Sequence, residues 1–167
     1  MKKYVAMALV LAVLLVGCAG TAQPESEGEA LEITSFSFRR TASYADGCYR
    51  FCVAREEGGV RLYAEELFLG GRVADTMIGE EILKRLGELA GTYHVDRWDG
   101  FDKSKSAVND GSSFTLEITL ADGSTISAHG NNSFPEYYPE FSAAVEQLHS
   151  ELMEQYGVQE AEGGHEA

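Results

Sequence analysis

Apolar and polar side chains alternate most clearly at residues 114–120, where Phe114, Leu116, Ile118 and Leu120 are separated by Thr115, Glu117 and Thr119. This is the period-2 mark of a strand with one buried face. Ile126 and Ala128 alternate with Thr125, Ser127 and His129 to give a second strand at 125–130. The joining residues are Ala121-Asp122-Gly123. A three-residue loop with Gly123 left-handed pairs Ile118 with Ile126, Leu116 with Ala128 and Phe114 with Gly130. A two-residue loop would set Ile118 against Ser127 and mismatch the faces.

Earlier in the chain, 31–40 reads as a strand with Phe36 and Phe38 on one face and Ile33 on the other. A turn at 44–47 follows. Tyr49, Phe51 and Val53 then alternate against Cys48, Arg50 and Cys52. After Glu56-Glu57-Gly58-Gly59, residues 60–69 form a third strand. Pairing Arg55 with Val60 sets Val53 against Leu62 and Phe51 against Ala64, so the apolar sets agree. Residues 31–69 are thus expected to be a three-stranded antiparallel meander.

Gly70-Gly71 breaks the pattern. Asp75 or Thr76 is the expected cap of a helix carrying Ile78, Ile82, Leu86 and Leu89 at helical spacing, with Gly91 just past its end. Gly79 and Gly87 each weaken such a helix by about 1 kcal/mol relative to Ala. Residues 91–112 have no sustained period, so they hold either a short strand, with 92–95 the candidate, or a docked loop. Ser133-Phe134-Pro135-Glu136 has the form of a capping box, and Pro139 delays the regular helix by a turn. Phe141, Val145, Leu148, Leu152 and Tyr156 form the apolar stripe of that second helix, which Gly157 ends. The order βββ-α-loop-ββ-α predicts an α+β fold: a single two-layer domain, an antiparallel sheet with two helices packed on one face.

Lys2 and Lys3 precede an apolar run at 4–16 that is too short for a comfortable membrane span and ends in Leu15-Val16-Gly17-Cys18. The expected organisation is a signal peptide at 1–17, an acidic linker at 18–30, the α+β domain at 31–157 and a disordered acidic tail at 158–167. The formal charge is 13 − 27 = −14 for the whole chain, and losing Lys2 and Lys3 makes it 11 − 27 = −16. Such acidity argues against nucleic acid as a partner, since phosphate binding needs dense Lys and Arg.

The ending Leu15-Val16-Gly17-Cys18 resembles the lipobox of bacterial lipoproteins. That resemblance implies diacylation at Cys18, which would become the new N-terminus and hold the domain on the outer face of the cell membrane. Trp98-Asp99-Gly100-Phe101, Asp110-Gly111 with Phe114 and Leu116, Asp122-Gly123, and Ala128, Gly130, Asn132 and Phe134-Pro135 together resemble a family of small uncharacterised bacterial lipoproteins, mostly Gram-positive. The likeness covers the C-terminal half well and the N-terminal half loosely. It implies a shared fold and location and carries over no catalytic residue or cofactor.

Candidate chemistry is sparse. His94, Asp96, Asp99 and Asp102 are hard-cation donors, but their spacing is not that of an EF-hand. The cysteines and histidines lack zinc-ligand spacing. Ser112, Ser113, Ser133, His94 and His129 offer hydrolase components without a Gly-x-Ser-x-Gly elbow, and His129 alternates outward. Cys48 and Cys52 lie about 13 Å apart in a straight strand, beyond the roughly 7 Å a disulfide allows. They are therefore expected to be unbridged unless the chain bends there.

Function is read as non-enzymatic binding of a protein or cell-envelope partner, with a small ligand or calcium as the alternative and a hydrolase last. The hairpin begins where the Trp98 loop arrives and ends where Asn131-Asn132-Ser133 departs. Trp98, Phe101, Asn131, Asn132, Tyr137 and Tyr138 are therefore expected at one rim, apolar with a few amide donors. The competing reading is that the Asn side chains cap a turn and the aromatics close the core.

Overall fold

The sheet is laid out from Ile33–Ala42 (β1), whose Phe36 and Phe38 point into the core. The computed structural model describes residues 28–43, 47–68, 70–105 and 111–159. Cys18, the signal-like stretch, most of the expected linker and nearly all of the acidic tail lie outside them. After β1 come Tyr49–Glu56 (β2), Gly59–Glu66 (β3), Arg72–Ile78 (β4), Glu81–Thr92 (α1) and a 3-10 turn, Val95–Trp98. Phe101–Ser104 (β5), Ser112–Leu120 (β6), Thr125–Asn131 (β7), Tyr138–Tyr156 (α2) and Val158–Gln159 (β8) complete the order. Among the described residues the strands form one eight-stranded sheet, β5-β7-β6-β1-β2-β3-β4-β8. All pairs are antiparallel except β5 with β7.

The architecture is the expected α+β single domain. Both helices cover the face that carries Phe36, Phe38, Phe51, Val53, Leu62, Leu116 and Ile118, all essentially without solvent exposure. The meander register is as expected, with Arg55 opposite Val60, Val53 opposite Leu62 and Phe51 opposite Ala64. The hairpin register also holds: Ile118 faces Ile126, Leu116 faces Ala128 and Phe114 faces Gly130. Its loop places Gly123 at φ +85° and returns the Gly123 N–H to Leu120 O at 3.0 Å.

Several details differ, each for a local reason. Ile33 is not on the far face. A bulge between Ile33 and Ser35, against Leu120 and Thr119 of β6, switches its side and buries it in the same core. Asp75 and Thr76 do not cap a helix but sit within β4, where Ala74 opposes Ala64 and Thr76 opposes Leu62. The core-facing positions of β4 before Ile78 are small or polar, so its alternation is faint. α1 starts after Glu80, which makes no side-chain cap bond, and Gly91 lies inside it. The extra strand is Phe101–Ser104, not 92–95. The Ser133–Glu136 capping box does not form, because the residue preceding α2 is Tyr137, with no side-chain cap, and Pro139 falls in the first turn. Val158 and Gln159, expected in the tail, pair with Val73 and Arg72.

Gly87 and Gly91 have a packing role. The extended backbone of 28–31 crosses α1 there, with the Leu31 N–H donating to Gly87 O at 3.1 Å. A Cβ at Gly87 would fall on the Leu31 carbonyl oxygen, and one at Gly91 on that of Glu29. The end of the expected linker is therefore strapped to the helix. No disulfide joins Cys48 and Cys52. Cys48 Sγ accepts from the Ala42 N–H at 3.0 Å, and Cys52 Sγ lies 3.5 Å from Ser37 Oγ.

Candidate functional site

Two chain reversals build a cleft beside the β5 edge of the sheet. The first ends α1. The Tyr93 N–H donates to Leu89 O at 3.1 Å and the His94 N–H to Gly91 O at 3.0 Å, while His94 itself turns left-handed at φ +53°. Glycine usually fills such a helix exit, because other residues strain there. The 3-10 turn then drives Val95 and Trp98 into the core and leaves Arg97 outside. Asp99 Oδ1 accepts the Ser127 N–H at 3.0 Å, and the Gly100 N–H donates to Ser127 O at 2.9 Å. These bonds start β5 parallel to β7.

The second reversal leads from β7 into α2. Asn132, at φ +52°, closes it: its Oδ1 accepts the Ser112 N–H at 2.9 Å, and its Nδ2 donates to Asn131 Oδ1 at 2.9 Å. Tyr137 is left-handed at φ +59°. For a bulky aromatic this is a backbone outlier of order 1–3 kcal/mol, and such outliers concentrate at functional sites. His94, Asn132 and Tyr137 are the non-glycine residues with positive φ among those described, and all three sit in these reversals. Asn132 is satisfied by its hydrogen bonds, whereas His94 and Tyr137 face each other across the cleft with rings 6.0 Å apart.

The cleft holds about 330 Å³ and is lined by His94, Arg97, Trp98, Phe101, Lys103 and the 134–137 segment. Its apolar wall is continuous with the core. Phe134 is exposed and stacks on Tyr138 at 4.6 Å, Tyr138 meets Phe114 at 4.5 Å, and Trp98 meets Phe141 edge-on at 5.1 Å. Burial raises the Tyr138 phenol pKa, so it stays neutral. Lys103 Nζ sits 5.2 Å from the Phe101 ring centre, a cation–π arrangement.

Of the rim residues expected from sequence, the structure brings Trp98, Phe101 and Tyr137 to the cleft. Tyr138 is behind it, buried beneath Phe134. Asn132 is a structural bracket, and Asn131 is exposed at the end of β7, outside the lining. Sequence reasoning missed Arg97 and Lys103. Arg97 stands out by what surrounds it. Six of the eight arginines pair with carboxylates, at 2.8–3.7 Å. Among the described residues no carboxylate lies within 4 Å of Arg97, in a chain with 27 acidic residues.

The other candidates do not assemble here. His129 Nδ1 lies 3.3 Å from Asp102 Oδ1, but among the described residues no serine hydroxyl bonds to that histidine. Among the described residues no three His, Cys, Asp or Glu side chains converge as a metal site, and no helix is long and apolar enough to cross a membrane. The chain matches no family model, no curated protein and no solved structure.

Proposed function

We propose that this protein is a lipid-anchored extracytoplasmic binding domain, held at the membrane through Cys18, which takes an envelope partner into the aromatic cleft. The observation that carries this reading is the cleft wall itself. Exposed aromatic surface, an arginine without a carboxylate and two left-handed residues that fix opposite sides occur together. The lining sets aromatic rings beside polar and charged groups, which suits a ligand with both apolar and polar parts. Arg97 and Lys103 beside aromatic rings outnumber the one lining carboxylate, Glu136, and favour a ligand with an anionic group next to a flat apolar or sugar face. The strap at 28–31 adds a spatial argument, because Gly28 lies beside Gly91 and His94. The ten residues from Cys18 to Gly28 span at most about 35 Å, so an anchor at Cys18 would hold the cleft close to the bilayer.

Two experiments test this. Membrane fractionation and intact-mass analysis of native protein and Cys18→Ser should show acylated, membrane-held protein lost in the variant; an unmodified Cys18 in the native protein contradicts the anchor. Capture from envelope extract by the full chain should be lost in Arg97→Gln and Phe134→Ala at near-native melting temperature. Unchanged capture in both variants contradicts the cleft.

A further inference from the structure

Among the described residues the second arginine without a carboxylate partner is Arg39, and it lies on the sheet face opposite the two helices. Strand register places it in one transverse row, Asp102–His129–Thr115–Arg39–Arg50–Glu65, running through β5, β7, β6, β1, β2 and β3. Arg39 stands directly opposite Arg50. Like charges so placed destabilise a strand pair, and Arg50 is itself only loosely compensated, 3.7 Å from Glu65. The neighbouring row contributes Thr41 opposite Ser113.

These side chains enclose a basin of about 280 Å³ lined by Arg39, Thr41, Ser113, Phe114, Thr115 and His129. Its one formal charge is the donor-only Arg39 guanidinium, and its hydroxyls can turn to donate. The Thr41 and Ser113 hydroxyls are 2.6 Å apart, so one proton lies between them and the other remains to donate. Thr115 adds a third hydroxyl. Asp102 accepts from His129 Nδ1, so Nε2 faces a ligand as an acceptor in the neutral ring and as a donor only in the imidazolium. Glu117 is one pair further along β6, opposite Ser37, and lies within 4 Å of neither Arg39 nor His129.

We propose that this basin is a second binding site, separate from the aromatic cleft, for a small tetrahedral oxyanion: phosphate or the phosphate of a phosphomonoester. A guanidinium and three hydroxyls arranged around a basin of this size match an acceptor-only group with several oxygens. A bound dianion also relieves the Arg39–Arg50 opposition.

The test is calorimetric titration of the full chain at constant ionic strength, with inorganic phosphate in one arm and glycerol 3-phosphate in the other. Saturable binding is expected in at least one arm, and the tighter arm identifies the source. Arg39→Gln should weaken it by at least about tenfold, the scale of a lost charge-assisted hydrogen bond. Thr115→Val, which removes a donor without changing charge, should weaken it several-fold. Arg61→Gln makes the same charge change on the same face, at an arginine held by Asp75 at 2.9 Å. It should leave binding unchanged, as should Arg97→Gln in the cleft. No binding in either arm overturns the proposal, and so does an equal loss in Arg39→Gln and Arg61→Gln.

Discussion

The β6–β7 hairpin and the cleft beside it are built from adjacent stretches of chain under opposite rules. In the hairpin every local choice agrees: alternation, cross-strand pairs and a left-handed glycine in the loop. In the cleft, a histidine and a tyrosine hold positive φ, an aromatic ring is exposed and, among the described residues, Arg97 has no carboxylate within 4 Å. Consistency across levels produces a stable sheet, whereas departures from it gather where a surface is kept ready for something else. The comparison predicts that hairpin substitutions act on stability and cleft substitutions on binding.

The largest effect should come from the hairpin core. Ile118→Ala is expected to destabilise by about 2–5 kcal/mol, while Thr119→Ala on the same strand should change little. Urea denaturation reads both, and equal effects would break the face assignment.

An acid-sensitive loss should follow from His149, which is buried, stacks on Tyr49 at 4.5 Å and has no hydrogen-bond partner at Nε2. Burial, opposed by Glu66 and reinforced by Arg72, lowers its pKa to about 4 from an ordinary 6.5. The imidazole is therefore neutral in the fold while the unfolded chain takes up a proton. Its contribution is complete above about pH 6.5 and is lost as pH falls towards 4, amounting to roughly 3 kcal/mol. In His149→Phe, melting temperature should fall less steeply across that window.

The strap comes next. Gly87→Ala adds helix propensity of about 1 kcal/mol yet drives a Cβ onto the Leu31 carbonyl, so net destabilisation of about 1–3 kcal/mol is expected. Faster hydrogen exchange at the Leu31 amide would locate the damage. A more stable Gly87→Ala protein would show that the crossing is loose.

How much of this was legible in sequence follows the same division. Phe114, Leu116 and Ile118 announce their strand because large apolar and polar residues alternate. β4 is hidden because Ala74 and Thr76 occupy its inward positions until Ile78 at its end, and β5 because a four-residue parallel edge strand needs no alternation. The change of face at Ile33 depends on a bulge that only the pairing with β6 reveals. Trp98, Phe101 and Tyr137 could be gathered at one end by following the hairpin. Arg97 and Arg39 could not be singled out, since lacking a carboxylate partner is a property of the folded surface.

The smallest stability effect is expected at Tyr137. Tyr137→Gly removes the aromatic side chain and supplies the residue best suited to φ +59°. Melting temperature and envelope-ligand capture should be measured together on the full chain. The expected result is a melting temperature equal to or slightly above that of the native protein, with capture lost. Retained capture would contradict it, because the strained tyrosine would then contribute nothing to the cleft.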